Sequence, residues 1–196
     1  LSALDKQLRE TMQIEIRKLH DRLGTTTISV THDQREALTM SDRIAVFSNG
    51  RLAQIATPLG LYEQPENRFI AQFIGESSFL PLRETPGGLA YGEQPIRLAG
   101  EPPRGSGDML LMLRPERLRL VAAEAAGEDC NLFHGQIQTV VFQGESLLFE
   151  VALDDGHKAF ARMANRSENV RLLPQAGQRA TLRLERADAR IVRAEI

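Results

Sequence analysis

The pattern of apolar positions divides the chain into a helical first part and a second part made of short strands. In residues 5–23, apolar residues recur every three or four positions and form one stripe along a predicted helix, which comprises Leu8, Met12, Ile16, Leu19 and Leu23. Gly24 follows and supplies a left-handed stop. Residues 27–31 are apolar and β-branched and lie between a glycine and charged residues, so they predict a buried strand.

Turn and cap signals predict the next elements. Asn49-Gly50 indicates a β-hairpin that joins strands 43–47 and 51–56. Thr57 stands immediately before a proline, and this pair is typical of an N-cap and the first turn of a helix.

A second short helix is predicted after Asn67, which can cap it, and Gly75 ends it. Its core-facing residues are predicted to be Phe69, Ile70, Phe73 and Ile74. The composition changes after this point, and no long helical stripe follows.

From residue 77 onward, short apolar runs alternate with turn signals. The predicted strands are 77–82, 89–91, 96–98, 109–113, 118–122, 133–142, 146–153, 158–163, 180–185 and 191–196. Asp154-Asp155-Gly156 marks a tight turn between two of them. Many short strands with such turns predict a small barrel of OB type. The fold class is therefore expected to be α+β, with an α/β remnant followed by an all-β barrel.

Composition excludes several classes of protein. The 24 basic and 26 acidic residues nearly balance, so no overall field points to nucleic acid or to an anionic membrane. Cys130 is the single cysteine, which excludes an internal disulfide. No apolar run is long enough to span a bilayer, and no signal-peptide pattern is present. The first residue is Leu1 rather than Met, and we interpret the chain as part of a longer one.

The candidate chemistry lies at His32, which follows the predicted strand 27–31. Open α/β sheets place ligand-facing groups at the carboxyl ends of their strands. Asp33 can cap the next helix and leave the imidazole directed out of the sheet. Taken alone, such a histidine is more often a surface residue in a strand-to-helix turn.

The sequence segments before and after His32 resemble motifs of a known family. The segments that carry the resemblance are Ser2-Ala3-Leu4-Asp5, VTHDQREA around His32 and SDRIAVFSNGRLAQIATP from Ser41, and the match covers residues 1 to about 75 without a gap. In this order they resemble the D-loop, the switch-histidine segment and the closing hairpin of an ABC-transporter ATPase subunit. Later segments, LRPERL from Leu113 and FQGE from Phe142, resemble the OB-like TOBE domain that is appended to importer ATPases.

The resemblance implies roles for three residues. His32 would reach the γ-phosphate of ATP as the catalytic switch histidine, where a neutral imidazole can both donate and accept a hydrogen bond. Asp5, in the D-loop with Ser2, would help to shape the nucleotide site of a partner subunit. Ser2 and Asp5 also fit a plain role as caps of the first helix. ATP and magnesium are the implied cofactors of the full-length protein, and no metal ligands are assigned in this chain.

Three motifs of the family are not in this sequence: the phosphate loop with its lysine, the Ser-Gly-Gly-Gln signature and an apolar run that ends in Asp-Glu. We therefore expect the full-length protein to be an ATPase, and this chain alone to bind no cofactor and to be inactive.

The resemblance also implies the organisation and setting of the protein. Residues 1–75 would close the nucleotide-binding domain, and residues 76–196 would form the TOBE domain. The subunit would power import through transmembrane permeases at the cytoplasmic face of the membrane, with a solute-binding protein as an indirect partner and without nucleic acid. Polyamines are the expected solutes, with iron, sulfate, sugars or glycerol phosphate as alternatives. A different class, a stand-alone OB-type module that binds an oxyanion or another ligand, is the second interpretation.

The other polar candidates have plainer interpretations. His134 and His157 have no second ligand at metal spacing, and Glu145 is interpreted as a turn residue. Three arginines are interpreted as alternating along a strand, which predicts that they share one solvated face: Arg114, Arg117 and Arg119.

A homodimer is also expected. The stripe of the first helix and the edges of strand 27–31 lack the neighbours that would cover them in this chain, and a second copy would supply them.

Overall fold

The computed structural model describes residues 3–102, 107–121, 129–166 and 174–194, with the side chains of residues 3–7 excluded. Two compact units emerge, Leu1–Glu66 and Asn67–Ile196. The second unit begins nine residues earlier than the predicted boundary after residue 75. The reason is that the helix after Asn67 packs on the strands that follow it. Among the described residues, no helix is long and apolar enough to cross a membrane.

The first unit contains three helices and one hairpin. Its elements are α1 (Ala3–Leu23), α2 (Gln34–Met40), β1 (Ile44–Ser48), β2 (Arg51–Ala56) and α3 (Pro58–Glu63). The hairpin turns at Asn49 and Gly50, which both have positive φ, as the Asn-Gly signal predicts. The Thr57 hydroxyl accepts a hydrogen bond from the Gly60 N–H at the start of α3, so the predicted cap is confirmed.

The predicted buried strand at 27–31 is wrong. No strand forms there, and Ile28 and Val30 are 90% and 96% exposed. A buried strand needs hydrogen-bonding neighbours on its edges, and within the described residues β1 and β2 pair only with each other. This β-branched apolar run therefore stays unpaired.

Within its described residues, the second unit contains one short α-helix and ten strands. Its elements are α4 (Arg68–Ile74), β3 (Ser78–Thr85), β4 (Gly88–Tyr91), β5 (Gln94–Pro95), β6 (Met109–Leu113), β7 (Leu118–Val121), β8 (Cys130–Phe142), β9 (Ser146–Leu153), β10 (Lys158–Ala164), β11 (Arg179–Glu185) and β12 (Arg190–Arg193). Most predicted strands are confirmed within a few residues. The strand predicted at 96–98 is not formed, because β5 ends at Pro95 and Ile96 instead donates its N–H to the Leu89 carbonyl.

The strands form two five-stranded sheets, in the orders β10-β9-β8-β11-β7 and β12-β6-β3-β4-β5. In the first sheet, the long strand β8 pairs with β11 through its first half and with β9 through its second half. The edge strands β10 and β7 lie close to each other, so this sheet curls towards a barrel. The fold is therefore α+β, and its second unit is OB-like.

The core of the second unit lies between the two sheets. Phe149 and Ile137 of the first sheet and Leu80, Leu111 and Leu113 of the second are fully buried in one cluster. The strand β6 is buried on both faces. One face contributes to this cluster, and the other contacts Ala71 of α4 and Val192 of β12. Ile70 and Ile74 are buried as predicted, whereas Phe69 and Phe73 are only half-buried.

The three arginines after β6 do not share a solvated face, so this prediction is wrong. Pro115 starts a 3₁₀ turn, Pro115–Arg117, that interrupts the alternation of a strand. As a result Arg114 is buried with its guanidinium donating to the Ser77 hydroxyl at 3.2 Å, and Arg117 contacts Asp188 at 2.9 Å. Arg119 alone is exposed, on β7.

Removal of the α4 cap should destabilise the second unit. Asn67 is buried and its Oδ1 accepts the Ile70 N–H at 2.9 Å. In Asn67→Ala no water can easily replace this acceptor, so we expect a loss of about 2 kcal/mol, the upper end for N-caps. Urea unfolding measures the loss. Gln72→Ala, on the exposed side of the same helix, should change the stability by less than about 0.5 kcal/mol; equal losses in the two variants would contradict a capping role.

Candidate functional site

The turn that carries His32 is held by hydrogen bonds from the residues on either side of it. Asp33 Oδ1 accepts the N–H groups of Arg35 at 2.9 Å and Glu36 at 3.1 Å, which confirms the predicted cap of α2. The Thr31 hydroxyl accepts the Asp33 N–H at 3.0 Å and donates to Glu36 Oε2 at 2.9 Å. His32 lies between these two residues and is exposed. The chain therefore holds the backbone of the turn and leaves the imidazole accessible.

The charge of Asp33 is favoured by its surroundings. The pKa of Asp33 is lowered, chiefly because the Glu36 N–H donates to the carboxylate, and partial burial opposes this effect. The Arg35 N–H and the guanidinium of Arg9, 4.0 Å from Asp33 Oδ2, act in the same direction as the Glu36 N–H. The carboxylate thus stays ionised as a cap under ordinary conditions.

Two arginines connect α1 to α2 and the residues after it. Arg35 contacts Glu10 at 2.8 Å, and Arg17 donates to the Met40 carbonyl at 3.1 Å and to Asp42 at 2.6 Å. The hydrogen bond to Asp42 is the main reason why the pKa of Arg17 is raised. The polar side of α1 is therefore the side that faces α2, and its stripe of apolar residues is left exposed.

Of the three residues assigned by resemblance, the structure describes the side chain of His32 alone, so their grouping stays a prediction. Ser2 lies outside the described residues. Asp5 lies within α1, but its side chain is not described. His32 lies on a turn rather than at the end of a strand, so the position that the predicted strand would have given it is not found.

A second polar cluster, which the sequence did not predict, lies in the second unit. The Tyr91 hydroxyl is 3.2 Å from His157 Nδ1, which is 3.1 Å from Asp155 Oδ2. The Tyr91 ring also packs edge-on against Phe133. Burial, and then the nearby carboxylate of Asp155, raises the pKa of the Tyr91 hydroxyl. The cluster joins β4 to the β9–β10 turn, and Tyr91 is 66 residues from His157 in sequence, so no local signal could have brought Tyr91 into it.

The remaining candidates occupy ordinary positions. His134 is exposed and contacts the Thr181 hydroxyl at 3.1 Å, and Glu145 lies in the turn between β8 and β9, as predicted. Across the described ranges, no three His, Cys, Asp or Glu side chains are grouped so that they could hold a metal ion.

Comparison with known proteins gives a domain match and a set of similar proteins. A family model described as the TOBE domain matches residues 111–192. The chain is 44% identical over 170 residues to a spermidine/putrescine import ATP-binding protein of Ruegeria pomeroyi, a match that covers 84% of this chain and 45% of the relative. Residues 111–192 thus match the TOBE domain, and most of the chain is similar to import ATP-binding proteins.

Other similar proteins are also named as import ATP-binding proteins but differ in the named solute. A spermidine/putrescine import ATP-binding protein of Pseudomonas fluorescens is 38% identical over 204 residues, with 98% of this chain and 52% of the relative covered. An sn-glycerol-3-phosphate import ATP-binding protein of Brucella abortus is 39% identical over 184 residues, with 92% and 50% covered. The chain spans about half the length of these relatives. They favour the importer-subunit interpretation over a stand-alone OB-type module.

Among solved structures, the TOBE-bearing chain is similar to the cytoplasmic molybdate-binding protein ModG, with a TM-score of 0.40 and 11% identity over 45% of this chain and 63% of that one. A similarity this distant has no bearing on function.

Proposed function

We propose that this chain acts as part of an ATP-hydrolysing subunit of an ABC importer, and that the imported solutes are polyamines. The observation that carries the proposal is the 44% identity to a spermidine/putrescine import ATP-binding protein. The glycerol-3-phosphate relative, at 39%, keeps the choice of solute open to experiment.

Within this subunit, we propose His32 as the catalytic residue that contacts the γ-phosphate of ATP bound with magnesium. The exposed imidazole on a turn that Asp33 and Thr31 hold supports this role, because a phosphate sensor needs both access to ligand and a fixed backbone. Ser2 and Asp5 are proposed to contribute to the nucleotide site of a partner subunit. ATP hydrolysis is expected to require the full-length subunit, and this chain alone is expected to be inactive.

The proposed partners follow from the same assignment. The subunit would form a homodimer and act on transmembrane permease subunits from the cytoplasmic face of the membrane, and a solute-binding protein would deliver the polyamine to the permeases. Nucleic acid is not among the expected partners, since the basic and acidic residues nearly balance.

Proteoliposomes that contain a full-length subunit with these residues, its permeases and its solute-binding protein would test the proposal. We expect ATP-dependent uptake of labelled spermidine, and no uptake of sn-glycerol 3-phosphate. Uptake of glycerol 3-phosphate instead would contradict the polyamine assignment but support the importer assignment. A preparation that binds its permeases yet neither hydrolyses ATP nor transports either solute would contradict the proposed function itself.

A further inference from the structure

Thr31 and Glu36, on either side of the turn that carries His32, form a hydrogen-bonded pair. The Thr31 hydroxyl donates to Glu36 Oε2 at 2.9 Å and accepts the Asp33 N–H at 3.0 Å. Asp33 is the N-cap of α2, and Glu36 is its third helical residue. In a capping box, the carboxylate at this third position accepts the N–H of the N-cap directly. Here the Thr31 hydroxyl lies between the carboxylate and that N–H and contacts both.

The hydrogen bond between Thr31 and Asp33 encloses the backbone of His32. The ring that it closes runs from the Thr31 side chain through the backbone of His32 to the Asp33 N–H. This ring contains φ and ψ of His32, which are the two soft dihedral angles of that residue. Because these angles set the direction of the Cα–Cβ bond, the Thr31 hydroxyl restricts the direction in which the imidazole leaves the backbone.

Glu36 fixes the orientation of the Thr31 hydroxyl. A hydroxyl has one proton and rotates to suit its partners, so its lone pairs have no fixed direction of their own. Because the proton is donated to Glu36 Oε2, a lone pair is left to face the Asp33 N–H. Thr31 and Glu36 are both half-buried, whereas His32 is exposed. The pair therefore constrains the backbone of His32 without covering its imidazole.

We propose that Thr31 and Glu36 are positioning residues for His32, and that they hold the imidazole in the direction in which it contacts the γ-phosphate. Their role rests on that of His32 in the proposed function. A misplacement of about 1 Å can cost about a hundredfold in rate, so a loosened turn should reduce turnover even though no contact with ATP is removed. The affinity for ATP should change little, because the positioning acts in the transition state.

Substitutions of Thr31 in a full-length subunit test the pair. Thr31→Val keeps the branched shape and removes the hydroxyl, so it should lower kcat for ATP hydrolysis about fivefold and leave KM for ATP within about twofold. Thr31→Ser keeps the hydroxyl and should retain wild-type turnover. Thr39→Val is the matched control, because the exposed Thr39 hydroxyl donates to the Arg35 carbonyl within α2. It should also retain wild-type turnover.

Two substitutions of Glu36 separate its hydrogen bond from its charge. Glutamine keeps an oxygen that can accept from the Thr31 hydroxyl, so Glu36→Gln should keep turnover within about twofold of wild type. Leucine is an equally good helix former but accepts no hydrogen bond, so Glu36→Leu should lower kcat about threefold or more. Equal turnover of the two variants would overturn the role of Glu36.

A double variant shows whether the pair acts through His32. In a His32→Ala background, adding Thr31→Val should lower turnover by no more than about twofold, because no imidazole remains to be positioned. The same loss with and without His32 would show that Thr31 acts elsewhere and would overturn the inference. Wild-type turnover of Thr31→Val, while His32→Ala is impaired, would overturn it too. Wild-type turnover of His32→Ala would contradict the proposed role of His32 itself, and the inference with it.

Amide hydrogen exchange measures the hydrogen bond in the whole chain without ATP. The Asp33 N–H should exchange at least about tenfold faster in Thr31→Val than in wild type, and within about twofold of wild type in Thr39→Val. Circular dichroism would confirm that both variants keep their helices. Equal exchange of the Asp33 N–H in wild type and Thr31→Val would show that the hydroxyl does not hold the turn, and would overturn the inference whether or not His32 is catalytic.

Discussion

Replacing His32 with alanine in a full-length subunit is expected to lower ATP hydrolysis by more than tenfold and to leave the affinity for ATP nearly unchanged. Loss of an interaction with the γ-phosphate in the transition state acts on turnover, whereas the base and ribose of ATP would not contact this residue. Tenfold corresponds to about 1.4 kcal/mol in the barrier. Steady-state hydrolysis rates measured together with nucleotide affinity give the result.

A matched histidine and a stability measurement separate this effect from a structural one. His20 on α1 is half-buried, and His20→Ala should keep wild-type turnover. His32 is exposed and its turn is held by Asp33 and Thr31, so His32→Ala should unfold at the same denaturant concentration as wild type. Turnover of His32→Ala within tenfold of wild type would rule out the proposed role.

The features that the sequence predicted well are those set by nearby residues. The apolar run of β9 between two turn signals gave its bounds at residues 146–153, and the Asn-Gly turn of the β1–β2 hairpin was found from two residues. The caps Asp33, Thr57 and Asn67 each accept a backbone N–H within three residues in sequence. Such interactions need no knowledge of the rest of the fold.

The predictions that failed depend on distant neighbours. The run 27–31 has the composition of a buried strand, but only pairing strands could bury it, and those are not found among the described residues. Arg114 was assigned to a solvated face because the sequence cannot show that Ser77, 37 residues away, accepts its hydrogen bond in the interior. The helical periodicity of α1 predicted its apolar stripe correctly. It did not predict that α2 would pack on the polar side of α1, opposite the stripe.

In the candidate site, too, the local features were predicted and those that depend on distant residues were not. The Asp33 cap beside His32 was predicted, because capping is local. The position of His32 at the end of a strand was not confirmed, because it required the strand before it to find partners. The Tyr91, Asp155 and His157 cluster was missed, since the β4 and β9–β10 segments approach each other only through the packing of two sheets.

The largest effect on stability is expected from Gly135→Ala. Gly135 lies in β8 at the place where this strand pairs with both β9 and β11, opposite Leu153 and Ala180. A Cβ added here would clash with the carbonyl oxygen of Ala152 and would lie 2.9 Å from Val151 Cγ1. The first contact is with backbone, so it can be relieved only if β9 moves away from β8. Because these are the central strands of the sheet, we expect a loss of about 3 kcal/mol or more in the free energy of unfolding, at or above the usual range for overpacking.

Two further variants identify the contact responsible for that loss. Gly87→Ala is the matched control, because a Cβ at Gly87 meets no atom within 4 Å, and its stability should stay within about 0.5 kcal/mol of wild type. Adding Val151→Ala to Gly135→Ala removes the side-chain contact but leaves the Ala152 carbonyl in place, so it should not restore stability. Urea unfolding of the four proteins measures each difference. Full recovery in the double variant would show that the Val151 methyl group, not the strand backbone, requires glycine at this position.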